Sequence, residues 1–260
     1  MTPLPRLYAI LDVGCFPDAN ALFSAAKELA AAGCTLIQYR NKSGNARVVL
    51  EQARELRRLF PGIQSQNSHF SQNRGEVGHP TLEKIGSQNR HFDGWSGGRL
   101  RPPGNDAPRT GASGAPRPSI CLIMNDRADL CLAADFEGVH VGQEDLSPES
   151  VRKIIGPERW LGVSTHNPEQ IREADLTSAD YLAIGPVFAT SSKEKPDPVV
   201  GLEGVRRARA LTRKPLVAIG GITRANAASV IEAGADSVAV ISDLLREPRK
   251  SAEEFLRILR

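Results

Sequence analysis

Short apolar runs alternate along the chain with longer stretches in which apolar residues return every three or four positions. The runs fall at 7–12, 35–40, 120–125, 138–141, 160–164, 181–184, 215–219 and 237–240. Brevity and aliphatic, β-branched content mark them as strands. The periodic stretches between them, at 19–32, 46–60, 127–133, 148–155, 168–174, 202–210, 224–233 and 252–259, predict amphipathic helices. Asp18 and Asn167 stand where N-caps belong, and Gly33 and Gly234 follow their helices where a left-handed residue is needed. Strand-then-helix units, repeated eight times, imply parallel strands with right-handed crossovers. Closing the sheet removes both edges, so the expected architecture is an α/β (β/α)8 TIM barrel. The alternative, an open doubly wound sheet, normally carries G-x-G-x-x-G after its first strand, and none stands here.

One segment breaks the pattern. Of the 58 residues from 61 to 118, 31 are Gly, Pro, Ser, Asn or Gln. A crude repeat runs through it, with Ser65-Gln66-Asn67, Ser71-Gln72-Asn73-Arg74 and Ser87-Gln88-Asn89-Arg90. Such a composition buries too little apolar surface to offset the entropy of ordering it. The expectation is one domain over 1–260, interrupted by a low-complexity, disordered insertion at about 61–118, between the second helix and the third strand. His69, His79 and His91 are irregularly spaced without cysteines, which speaks against a metal site there.

Composition narrows the function. Hydrophobic residues make up 40% but aromatic ones only 5%, so the core rests on Ala, Val, Ile and Leu, as suits strands buried on both faces. The net charge of +3 invites a nucleic-acid partner, yet 61–118 alone holds seven basic and four acidic residues and so carries the whole surplus. The rest of the chain is neutral, and no nucleic-acid partner is expected. Residues 97–101 would suit RNA contact, but low-complexity insertions usually lack a specific ligand. No apolar run approaches the roughly 18 residues of a membrane span. The start, Met1 to Arg6, leads straight into a strand without an apolar signal core. Cys15, Cys34, Cys121 and Cys131 are widely spaced beside apolar residues and read as reduced, partly buried thiols of a cytoplasmic protein.

Polar residues gather where strands end. Alternation puts Ile37 and Tyr39 on the outward face of their strand, with Gln38 and Arg40 pointing into the barrel mouth and Lys42 just beyond. Two cations crowded there favour an anionic ligand over a solvated ion pair. Asn125-Asp126-Arg127 and Gly142-Gln143-Glu144-Asp145 set carboxylates at the ends of neighbouring strands, which suits Mg2+. Taken singly, Asp126 and Asp145 read as helix caps; their coincidence with the other polar strand ends favours the metal. Ser164, Thr190 and Lys193 follow the fifth and sixth strands, and His166 reads as a helix-start residue. Gly220-Gly221 and Ile241-Ser242 follow the seventh and eighth, where this fold commonly cradles phosphate.

Taken together, Gln38-x-Arg40-x-Lys42, Asn125-Asp126-Arg127, the run 138–146, Gly162-Val163-Ser164-Thr165-His166, Gly185-Pro186-Val187-Phe188-x-Thr190-x-Ser192-Lys193, Gly201-Leu202-Glu203 and 218–222 resemble the thiamine phosphate synthase family, in the family's order and across the chain outside 61–118. The resemblance implies a transferase with two phosphorylated small-molecule substrates, hydroxymethylpyrimidine diphosphate and hydroxyethylthiazole phosphate. It implies that Gln38, Tyr39, Arg40, Asn41, Lys42, Asn125, Ser164 and Lys193 hold the pyrimidine diphosphate, with Arg40 and Lys193 catalytic. It assigns Mg2+ to Asp126 and Asp145, and the thiazole phosphate to Thr190, Ser191, Ser192, Gly221, Ile241 and Ser242. Ser192 stands where the family usually has Thr, which keeps the hydroxyl. A related thiazole tautomerase has no use for a diphosphate-and-Mg2+ half-site, and a barrel disabled by its insertion would be expected to lose these motifs.

Overall fold

The computed structural model describes residues 4–61, 119–190 and 197–260. Its order is β1 (Leu7–Asp12), α1 (Ala19–Ala31), β2 (Leu36–Arg40), α2 (Ala46–Leu59), β3 (Cys121–Asn125), α3 (Ala128–Ala133), β4 (Gly138–Val141) and α4 (Pro148–Ile155). There follow β5 (Trp160–Thr165), α5 (Pro168–Asp175), β6 (Tyr181–Ile184), α6 (Gly201–Leu211), β7 (Leu216–Ile219), α7 (Ala227–Glu232), β8 (Ser237–Val240), α8 (Ser242–Leu245) and α9 (Pro248–Ile258). All eight strands are parallel and neighbours in sequence pair in order. β1 closes on β8, with Leu7 beside Val238.

Alternation along the strands divides the core into two layers. Tyr8, Ile10, Leu36, Ile123, Tyr181, Ala183, Val217 and Ala239 pack together in the barrel interior. Their neighbours in sequence, such as Leu7, Ala9, Ile37, Tyr39, Leu122 and Leu182, pack outward with the helices. The Asp18 and Asn167 side chains cap α1 and α5, and Gly33 and Gly234 take positive φ of 96° and 110°. α7 starts at Ala227 rather than 224 because Asn226 Oδ1 accepts the Thr223 N–H at 2.8 Å and holds the preceding residues in a turn. α9 starts at Pro248, four residues before the expected 252, with the proline in its first turn. Two short pieces went unforeseen: α8, and a 3-10 turn over Val13–Cys15 capped by Asp12. The four thiols are unpaired, and Cys15 is exposed rather than partly buried.

At the N-terminal end of the barrel one device occurs three times. Glu137, Asp180 and Asp236 directly precede β4, β6 and β8. Each uses one carboxylate oxygen to accept two donors. Glu137 Oε2 accepts Leu122 N–H and Arg57 at 2.7 Å. Asp180 Oδ2 accepts Leu161 N–H at 2.7 Å and Arg152 at 2.6 Å. Asp236 Oδ2 accepts Leu216 N–H and Arg209 at 2.8 Å. The arginines come from α2, α4 and α6, and each also donates to carbonyls of the following loop, such as Phe60, Gly156 and Lys214. Each of these three helices is thus tied to the start of two strands. Arg57 and Glu137 do this on both sides of 62–118, whose expected disorder lies outside the described residues. Among the described residues no helix is long and apolar enough to cross a membrane.

Candidate active site

The opposite end collects the polar strand ends. Gln38 and Arg40 face inward from β2, as alternation requires. Arg40 is ion-paired with Asp12, the last residue of β1 and its partner in register. Asp12 is 8% exposed and also accepts the Gly14 N–H at 3.1 Å. Lys42, just past β2, pairs with Asp126, just past β3. Both cations therefore already have protein carboxylates, which revises the expectation that an incoming anion must relieve them. Asp12 was not anticipated, although the alternation that selects Gln38 and Arg40 selects Tyr8, Ile10 and Asp12 on β1.

Neither acid assigned to metal caps a helix. α3 has Arg127 at its N-cap without a side-chain bond, and α4 is capped by Ser147. Asp126 takes φ of 62°, a left-handed conformation that aspartate tolerates better than most residues, and its N–H donates to His140 O at 2.8 Å. Asp145 accepts the Gly142 N–H at 2.7 Å. Burial pushes the Asp145 carboxyl above its ordinary value, the Gly142 bond opposes this, and the charge and contact of Asp126 add to the rise. Two carboxylates that face each other and repel form a donor set that a hard divalent cation relieves. Among the described residues no third His, Cys, Asp or Glu joins them. Substrate oxygens and water would have to complete a Mg2+ shell.

Five buried or half-buried polar side chains meet beneath this mouth. Gln38 Nε2 donates to Tyr8 Oη at 2.9 Å, and the Tyr8 and Tyr181 hydroxyls are 3.0 Å apart. Tyr181 Oη lies 3.1 Å from His140 Nδ1, and His140 Nε2 lies 2.8 Å from Ser164 Oγ. Burial raises both tyrosine hydroxyls and pushes the His140 imidazole down to about 4, a shift the Asp145 charge opposes. At neutral pH all three are uncharged. His140 lies within the motif run 138–146, where its residue type alone assigns it no role, and no sequence signal marks Tyr8 or Tyr181.

Other expected site residues divide clearly. Asn125 ends β3, half-buried, in register with His140. The Tyr39 and Asn41 side chains turn away from the mouth: Tyr39 Oη donates to Gln52 Oε1 of α2 at 2.6 Å, and Asn41 Nδ2 reaches both groups at 3.1 Å. These bonds tie the end of β2 to α2: Tyr39 sits at an outward-facing position of the strand, and Asn41 follows its last residue. Gly220 and Gly221 have φ of 97° and 64°, and a Cβ on Gly221 would lie 2.5 Å from Ala189 O. This closeness brings the strand-seven loop against Phe188 and Ala189, the residues just before Thr190. Ile241 and Ser242 begin α8 directly after β8. Ser191, Ser192 and Lys193 lie outside the described residues. His166 is a tether: its Nδ1 is 2.6 Å from Gly185 O and its Nε2 is 3.5 Å from Asp197.

Comparison with known proteins agrees with this geometry. Residues 113–244 match the model of the thiamine monophosphate synthase family. The chain is 50% identical to a thiamine-phosphate synthase of Koribacter versatilis, across 98% of this chain and 96% of the relative. It is 35% identical to one from Chloroflexus aurantiacus, across 91% and 83%. Among solved structures, a thiamine phosphate pyrophosphorylase from Pyrococcus furiosus superposes with a TM-score of 0.67 at 27% identity, covering 98% of this chain and 95% of that one. A closed barrel with this mouth, matched over nearly its whole length by these enzymes, belongs to the thiamine-phosphate synthase family.

Proposed function

We propose that the chain joins the diphosphate of hydroxymethylpyrimidine to the phosphate of hydroxyethylthiazole, giving thiamine phosphate and pyrophosphate. One observation carries the assignment of the site: Gln38, Arg40, Lys42, Asp126, Asp145 and Ser164, from four successive strand ends, converge at the mouth of the closed barrel. Gln38, Asn125 and Ser164 receive the pyrimidine, while Arg40, Lys42 and Lys193 receive its diphosphate. Thr190, Ser191, Ser192, Gly221, Ile241 and Ser242 receive the thiazole phosphate, a role supported by the approach of Gly221 to Ala189 beside Thr190.

The reaction is a displacement at carbon. The bond between the pyrimidine methylene carbon and the diphosphate oxygen breaks, and its electron pair leaves with pyrophosphate. The lone pair of the thiazole nitrogen then forms the new carbon–nitrogen bond. No proton has to be removed from this nucleophile, so the reaction requires no paired general acid and base. What must be stabilised is charge on the leaving group. Asp12 holds Arg40 in place for this, since the pair is part-buried and Asp12 is itself anchored by the Gly14 amide. Arg40, Lys42, Asp12, Asp126 and Asp145 together carry one net negative charge, so these five alone would repel a diphosphate. Asp126 and Asp145 would hold Mg2+, which when bound neutralises diphosphate charge. Lys193 adds a further cation. The unpaired thiols support a reducing, cytoplasmic setting.

The test is direct. The purified full chain, given both substrates and Mg2+, is expected to release thiamine phosphate and pyrophosphate in equal amounts. A folded protein that consumes neither substrate would overturn the proposal.

A further inference from the structure

The chain Gln38–Tyr8–Tyr181–His140–Ser164 crosses the barrel interior through side chains of β2, β1, β6, β4 and β5. Tyr8 and Tyr181 are 1% exposed, Gln38 3% and His140 8%, so water does not substitute freely for these bonds. The site is built to let the chain pass. Gly162 is the register partner of both His140 and Tyr181. A Cβ on Gly162 would lie 2.1 Å from Tyr181 Cζ and 2.4 Å from His140 Nδ1. Its backbone conformation requires no glycine, so the reason for one is space: β4 and β6 side chains meet across β5 only where β5 has none. The rings of His140 and Tyr181 lie 5.6 Å apart, 27° from parallel.

Hydrogen-bond chemistry gives this chain a direction. Gln38 Nε2 can only donate, so Tyr8 Oη accepts from it. The Tyr8 proton then has Tyr181 as its partner. Tyr181, having accepted, donates to His140 Nδ1. A neutral imidazole whose Nδ1 is an acceptor carries its proton on Nε2 and donates it to Ser164 Oγ. The Ser164 proton is left to point outward, and at the other end the Gln38 amide is left with Oε1.

We infer that this relay sets the hydrogen-bond polarity with which the barrel mouth reads its heterocycle: Gln38 as acceptor and Ser164 as donor. Such a pair matches a pyrimidine bearing an exocyclic amine beside a ring nitrogen, and opposes one bearing an oxo group beside a ring N–H. Tyr8, Tyr181 and His140 are positioning residues for specificity, acting through Gln38 and Ser164. The inference rests on the reading above that Gln38 and Ser164 meet the pyrimidine. A reversed chain would need the Gln38 amide turned over, and would present a donor where the amine also donates.

Two measurements on the full chain test it, one without substrate. Nitrogen NMR of the histidine-labelled enzyme, with His140 identified by its loss in His140→Gln, is expected to show neutral His140 protonated on Nε2. Protonation on Nδ1 would overturn the inference. Kinetics then compare the amino pyrimidine diphosphate with its oxo analogue. Tyr181→Phe removes one oxygen from the middle of the relay and should narrow the kcat/KM preference for the amine at least tenfold, since the discrimination depends on oriented buried polar groups. His140→Gln retains an acceptor beside a donor and should keep most of that preference, whereas His140→Phe should lose it. A folded Tyr181→Phe enzyme with unchanged discrimination, in which Gln38→Ala still abolishes it, would overturn the relay's role. If Gln38→Ala and Ser164→Ala also left discrimination unchanged, the placement of the pyrimidine would be what failed.

Discussion

The two ends of this barrel use the same residue types for opposite purposes. At the N-terminal end, each of three carboxylates accepts an arginine and a strand amide with a single oxygen, and the arginine also holds loop carbonyls. At the C-terminal end, Arg40 and Lys42 each have one carboxylate, and Lys42 is 56% exposed. The first kind of ion pair is woven into the backbone and cannot exchange partners without breaking several bonds. The second can give up its partner to a ligand. What distinguishes a stabilising pair from a functional one here is the number of other groups depending on it, since the chemical types are alike.

The largest effects should come from removing charge at the C-terminal end. Lys193→Ala is expected to lower kcat by roughly 10²–10³, the usual cost of one preorganised charge, while altering the KM for the thiazole phosphate much less. A weaker KM with unchanged kcat would move Lys193 to the thiazole half-site. Asp126→Asn, which tolerates the left-handed φ of 62°, and Asp145→Ala should each greatly lower turnover at limiting Mg2+ while leaving urea denaturation nearly unchanged. A variant of either that unfolds readily would show that the mouth is structural after all, and would break the comparison.

The N-terminal end should respond in the reverse sense. Asp180→Ala leaves Arg152 and the Leu161 amide without their shared acceptor, and should cost about 2–3 kcal/mol of stability. Its kcat, measured on folded protein, should stay close to that of the parent. Loss of turnover without loss of stability would contradict the division of labour.

The smallest effect should follow excision of 64–118. Joining Ile63 to Ser119 leaves a connection of ordinary length on the face opposite the site. Lengthening such a loop tenfold adds only about 2 kcal/mol of closure entropy, so its removal should leave stability equal or slightly higher and activity intact. The Arg57–Glu137 pair joins α2 to β3 and β4 without using any inserted residue. A soluble, folded deletion variant lacking synthase activity would show that the segment takes part in the reaction.

Much of the site was legible because barrel geometry converts sequence parity into direction. Gln38 and Arg40 point inward for the same reason that Ile37 and Tyr39 point outward. Tyr39 obeys the same rule, its outward position carrying its hydroxyl to Gln52 of α2. The clamps were invisible because Arg57 and Glu137 are 80 residues apart. The relay was invisible because its members come from five strands, and only Gln38 and Ser164 sit where strand ends attract notice.

The sequence by itself determined the eight strands, their parallel order, the caps Asp18 and Asn167, and the face on which each strand residue lies. These follow from local periodicity and from the handedness of strand–helix–strand connections. Only the tertiary structure decided which polar groups pair. That depends on the stagger of neighbouring strands around a closed barrel, which no stretch of sequence encodes alone. It put Asp12 beside Arg40, turned Asp126 away from a helix cap, and left room over Gly162 for His140 to reach Tyr181.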